Sequence, residues 1–110
     1  MTPSSSATPL YVPGQVVIVN FPGAVATKRR PVVIVSTPTY HATRPDLILG
    51  LLTSDVGAAT GPTDYVLLDW SAAGLHQPTA FRAFIAMRPA SDVVRVVGQL
   101  SGRDWQEVQA

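Results

Sequence analysis

The chain contains no cysteine, which excludes disulfides, thiolate metal sites and a cysteine nucleophile together. It holds a single lysine, Lys28, and only 14% of its residues are charged, with a formal net charge of +1. Bulk charge therefore does not mark a nucleic-acid-binding protein. No run of roughly eighteen apolar residues occurs, so no membrane-spanning helix is expected. The first residues, Met1 to Pro9, are Ser, Thr, Pro and Ala-rich. They lack the basic start and apolar stretch of a secretory signal, and the expected location is the cytoplasm. Also missing are internal repeats, a glycine-rich phosphate cradle, a metal-ligand spacing of His and carboxylates, and a recognisable Ser-His-Asp set. Neither metal nor other cofactor is expected.

What is present is enough for one domain. The 110 residues fall in the size range of a single folded unit. At 46% hydrophobic they supply ample core, while the sparse surface charge suggests that part of the surface is hidden by self-association. A homodimer is expected. Residues 1–12 are expected to form a flexible tail and residues 13–110 the domain. The local exception to the low charge is Lys28-Arg29-Arg30, which concentrates positive potential in one place.

The apolar pattern is that of strands. Val-Val-Ile-Val-Asn-Phe after Pro13-Gly14, and Val-Val-Ile-Val after Pro31, are short β-branched runs that predict buried strands at 15–21 and 31–36. Residues 23–30 and 37–45, punctuated by Gly and Pro, are expected as loops. A third strand at 46–52 ends in Thr53-Ser54, and a fourth is expected at 65–68. A helical turn at 69–74 closed by Gly74 follows, then strands at 79–86 and 93–100. Ser101 and Asp104 have the spacing of a capping box that opens a helix through Val108. Six short strands and one terminal helix predict a mainly β fold, a curved antiparallel sheet or small barrel.

Three stretches resemble the MazF/PemK toxin family: Pro-Gly-Gln-Val-Val-Ile-Val-Asn-Phe at 13–21, Lys-Arg-Arg-Pro-Val-Val-Ile-Val-Ser at 28–36, and Leu-Leu-Thr-Ser at 51–54. Gly74-Leu75 through Pro78-Thr79-Ala80-Phe81-Arg82, and Gly98-Gln99-Leu100-Ser101, are similar to its later segments. The resemblance implies a small SH3-like, CcdB-like barrel with a C-terminal helix. It further implies a homodimeric toxin endoribonuclease that cuts single-stranded RNA without a metal and is silenced by a cognate antitoxin.

In such a reaction the ribose 2′-hydroxyl attacks the neighbouring phosphorus, and charge on the phosphoryl oxygens must be met by a fixed cation or preorganised donors. By resemblance, Arg30 is the catalytic arginine before proline and Thr53 the catalytic threonine. Lys28, Arg29, Ser54 and Thr79 are expected to bind the RNA, the two basic residues at its phosphates, with Arg82 contacting substrate. Tyr40, His41 and His76 are candidates for base stacking or proton transfer. Each has a plainer reading: a solvated loop arginine, a strand-end threonine bonded to local backbone, or an Arg82 turned to a carboxylate at a dimer interface. Phe84 stands where the resemblance implies an aspartate, and is expected in the core. A non-enzymatic member of the fold, a CcdB-like gyrase poison or an inactive binding module, is the alternative reading. The resemblance leaves the RNA motif and the antitoxin's identity open.

Overall fold

The structure is a computed structural model that describes residues 11–22, 26–59 and 61–109. The strands are β1 (Gln15–Pro22), β2 (Thr27–Ile34), β3 (Asp46–Thr53), β4 (Tyr65–Val66), β5 (Ala80–Pro89) and β6 (Val93–Gln99). Among the described residues two α-helices accompany them, α1 (Pro38–His41) and α2 (Gly102–Gln109), with short 3-10 turns at Val56–Ala58 and Ala90–Asp92. All strands join one antiparallel sheet in the order β4-β5-β3-β2-β1-β6. The mainly β class and the C-terminal helix are those expected.

The central strands are covered on both faces, which is why their sequences are continuous apolar runs rather than alternations. Val17, Val19, Val32, Ile34, Leu47 and Leu49 pack with Tyr11 on one side. Val16, Val33, Leu52, Leu67, Phe81 and Leu100 pack on the other. Val16 lies opposite Val33 and Val17 opposite Val32, so each hairpin pair feeds one of the two cores.

Among the described residues the edge strands β4 and β6 do not pair with each other, and the sheet is not closed. The turn after β4 and the start of α2 are joined there instead. Asp104, wholly buried, accepts from the Tyr65 hydroxyl at 2.7 Å and from the N–H groups of Leu68 and Asp69 at 3.0 and 2.8 Å. Arg103 grips Asp69 through two bonds of 2.7 Å. Only half of the expected capping box forms: Ser101 Oγ accepts the Asp104 N–H at 3.3 Å, while the Asp104 carboxylate is taken up by the turn.

Several expectations need correction. Lys28, Arg29 and Arg30 do not lie in a loop but in β2, opposite Phe21, Asn20 and Val19. Apolar patterning marks only the buried length of a strand, and this hairpin continues past it. Pro31 is accordingly inside β2, one residue before its pairing with β3 begins at Val32. Phe84 is not a core residue; it is 55% exposed. The β3–β5 register jumps between Gly50, opposite Ile85, and Leu51, opposite Arg82. Phe84 falls in that irregularity, and Ala83, Ile85 and Met87 around it are exposed too, so this stretch of β5 is left uncovered. Residues 1–10 of the expected tail lie outside the described residues, and Tyr11 belongs to the core.

Candidate functional site

A cleft of about 320 Å³ opens on the sheet where β1, β2 and β6 meet the end of β3. Ile18, Arg29, Arg30 and Pro31 form one wall and Arg95 and Val97 of β6 another; Leu52, Thr53 and Ser54 come from β3. The segment from Gly74 to Thr79, including His76 and Gln77, closes it. Arg95 reaches this place because it stands opposite Ile18 in the β1–β6 register.

That last segment is held at both ends. Gly74 has φ +90°, and a Cβ there would strike the Val97 carbonyl; a Cβ on Gly98 would strike the Ala73 carbonyl. Two glycines thus let the turn lie directly on the β6 backbone. Leu75 N–H donates to Trp70 O at 3.1 Å, and Thr79 ties itself to Leu67 N–H through its carbonyl at 3.0 Å.

Among the described residues, three arginines and no carboxylate line the cleft. The ion pairs among the described residues involve Arg82, Arg88 and Arg103, not Arg29, Arg30 or Arg95. Guanidinium forks match phosphate oxygens and stay charged, so this concavity favours an anion. Thr53 adds a neutral donor. Its Oγ1 accepts the Asp55 N–H at 3.1 Å, which leaves its own proton available. Among the described residues no three or more His, Cys, Asp or Glu side chains cluster as metal ligands.

Of the residues singled out in the sequence, Arg29, Arg30, Thr53, Ser54, His76 and Thr79 are brought together here. Thr79 is buried and its hydroxyl donates to Gln77 O at 2.9 Å, which fixes the bend beside it. Lys28 is exposed and outside the cleft lining. Arg82 faces Asp64 at 3.6 Å, also outside. Tyr40 and His41 lie on α1, with Arg44 over the Tyr40 ring at 5.6 Å. His41 has both ring nitrogens engaged: the Tyr11 carbonyl can only accept, so Nδ1–H donates to it at 3.1 Å. Nε2 then accepts from the Ser36 hydroxyl at 2.6 Å, whose oxygen accepts the Ile48 N–H at 3.0 Å. His41 is a latch between α1, β3 and the residues before β1. Arg95 escaped notice, although a lone cation within Val-Val-Arg-Val-Val is a signal.

Solved structures share this fold. The Mycobacterium tuberculosis toxin MazF-mt6 is 18% identical, with a TM-score of 0.70 over 86% of this chain and 88% of that one. An endoribonuclease in complex with its cognate antitoxin, from a mycobacterial species, is 17% identical, with a TM-score of 0.68 over 89% and 84%. MazE–MazF (Form-III) from Deinococcus radiodurans gives 17% identity and a TM-score of 0.72 over 91% and 90%. Among curated proteins none matches the chain. Residues 12–110 match the family described as PemK-like, MazF-like toxin of type II toxin-antitoxin system, and the chain belongs to that family.

Proposed function

We propose that this toxin is an endoribonuclease that cuts single-stranded RNA in the cytoplasm, and so stops translation and growth, by metal-independent attack of the ribose 2′-hydroxyl. The observation that carries the reading is a cleft lined, among the described residues, by three arginines and no carboxylate, with the Thr53 hydroxyl at its edge. The phosphodiester to be cut sits against Arg30, and the charge that grows on its free oxygens meets the guanidinium and the Thr53 O–H. Arg29, Ser54 and the neighbouring strand hold the flanking phosphates. Cleavage leaves a 2′,3′-cyclic phosphate and a 5′-hydroxyl.

The partners follow from the same surface. A disordered antitoxin with carboxylates competes for the cationic cleft, while its apolar side chains bind the exposed toxin surface. The exposed Phe84, Ile85 and Met87 of β5 support apolar pairing, including a homodimer.

The test is incubation of the purified protein with a long RNA in excess EDTA, followed by analysis of the product ends. Cyclic phosphate ends made without metal, and lost in Arg30→Ala by on the order of 10²-fold or more, are the expected result. Cleavage that requires a divalent metal would remove this mechanism. Intact RNA would leave the toxin without nuclease activity.

A further inference from the structure

We propose that His76 is the general base of the cleft, the group that takes the proton from the attacking 2′-hydroxyl; this rests on the ribonuclease reading above. The lining offers few choices. Guanidinium groups stay protonated and cannot accept, and among the described residues no carboxylate, lysine or tyrosine lines the cleft. Of the side chains lining it, His76 is the one whose type both takes and gives a proton near neutrality. Its contrast with His41 is direct, since both His41 nitrogens are committed to Ser36 and Tyr11.

Position supports the role as much as chemistry does. His76 is exposed, so substrate can reach it. Yet its backbone is not free to wander: Gly74 is pressed on Val97 and Gly98 on Ala73, and Leu75 N–H is bonded to Trp70 O at 3.1 Å. The imidazole is therefore carried on a clamped turn opposite β2 and the end of β3, where Arg30 and Thr53 stand. As the O2′–P bond forms, neutral His76 accepts the 2′-hydroxyl proton. The P–O5′ bond breaks, its electron pair stays on O5′, and a water molecule protonates that oxygen. The imidazolium then returns its proton to solvent. The charged groups facing it are Arg29 and Arg30 of β2 and Arg95 of β6, all cationic.

The experiment compares wild type, His76→Ala and His76→Gln on one RNA substrate between about pH 5 and 8, the range in which a histidine changes charge. The expected result is a loss of about 10²-fold or more at neutral pH in both variants. Loss of the acid limb of the wild-type profile and partial recovery of His76→Ala on adding imidazole should accompany it. Binding of a 2′-O-methyl RNA oligomer, which cannot react, should be retained. Equal cleavage by wild type and variants would overturn the role of His76 while leaving the nuclease reading intact. A loss without imidazole recovery, accompanied by weaker binding of the oligomer, would make His76 a contact residue instead. RNA left whole by wild type would remove both readings.

Discussion

The hydroxyl of Thr53 accepts the backbone N–H of Asp55 at 3.1 Å, so the turn that ends β3 and the donor aimed at the cleft are made by one side chain. A hydroxyl has two acceptor sites and one proton, and the turn uses only an acceptor site. The local-backbone reading of Thr53 and the functional one are therefore compatible.

From this follows the first prediction. Thr53→Val deletes the hydroxyl and keeps the shape, so it should slow RNA cleavage by on the order of 10²-fold, the usual cost of one missing transition-state donor. Thr53→Ser should recover most of the rate, because it restores the O–H. Cleavage rates and melting temperatures of the three proteins decide the matter. A variant that loses only melting temperature would show the hydroxyl to be structural.

The second prediction separates two arginines. Arg95 lines the cleft with no carboxylate beside it, whereas Arg82 is held near Asp64 at 3.6 Å. Arg95→Ala should weaken RNA binding and reduce the slope of log affinity against log salt by about 0.7, the loss of one phosphate contact on a single strand. Arg82→Ala should leave that slope nearly unchanged. Titrations of a 2′-O-methyl RNA at several salt concentrations measure both, and the opposite ranking would place the phosphate path over β5 instead.

These two residues also show how far the sequence could be followed. Arg30 and Thr53 could be placed together from the sequence because Arg30 opens one apolar run and Thr53 closes another, and the pairing of Val32 with Leu51 sets the start of the first beside the end of the second. Arg95 could not be, because its position depends on the register between β1 and β6, strands separated by most of the chain. Arg82 has the chemistry of a substrate residue, but no local pattern shows that the β4–β5 edge brings Asp64 to it. Tyr40 and His41 had the right chemistry for RNA, but α1 turns His41 to Ser36 and the Tyr11 carbonyl. No local pattern reports such a long-range latch. Phe84 was misplaced for a similar reason, since the apolar type of Phe84, Ile85 and Met87 does not say that this stretch of β5 is left uncovered.

The third prediction concerns the clamp under His76. Gly98→Ala would drive a methyl group into the Ala73 carbonyl, and a backbone neighbour cannot swing aside as a side chain tip can. Overpacking of this kind costs roughly 1–3 kcal/mol. Calorimetry should show a melting point lowered by about 4–8 °C for each kcal/mol lost in a domain of this size. Cleavage measured well below the melting point should fall too, because the displaced turn carries His76. An unchanged melting temperature would mean that β6 and the turn are farther apart than the structure has them.

The fourth prediction follows the Asp104 hub through pH. Asp104→Ala would leave the N–H groups of Leu68 and Asp69 and the Tyr65 hydroxyl without their acceptor, a loss on the order of 3 kcal/mol. The two groups around it titrate in opposite windows. Bonds from Arg103 and then Ser101 hold the Asp69 carboxyl down to about 2, against an ordinary 3.8. The unfolded chain therefore binds more protons between those values, so the contribution of Asp69 is full above about pH 4 and fades as pH falls through 2. Burial, and then the hydrogen bond to Asp104, push Tyr65 up to about 12 from an ordinary 10.0. Here the folded state keeps its proton longer, so the contribution is full below about pH 10 and is lost as pH rises toward 12. Denaturant midpoints measured across pH should show Asp69→Asn flattening only the acid limb and Tyr65→Phe only the alkaline one. If either variant altered the opposite limb instead, the hydrogen-bond network that joins α2 to the turn after β4 would not be the origin of these shifts.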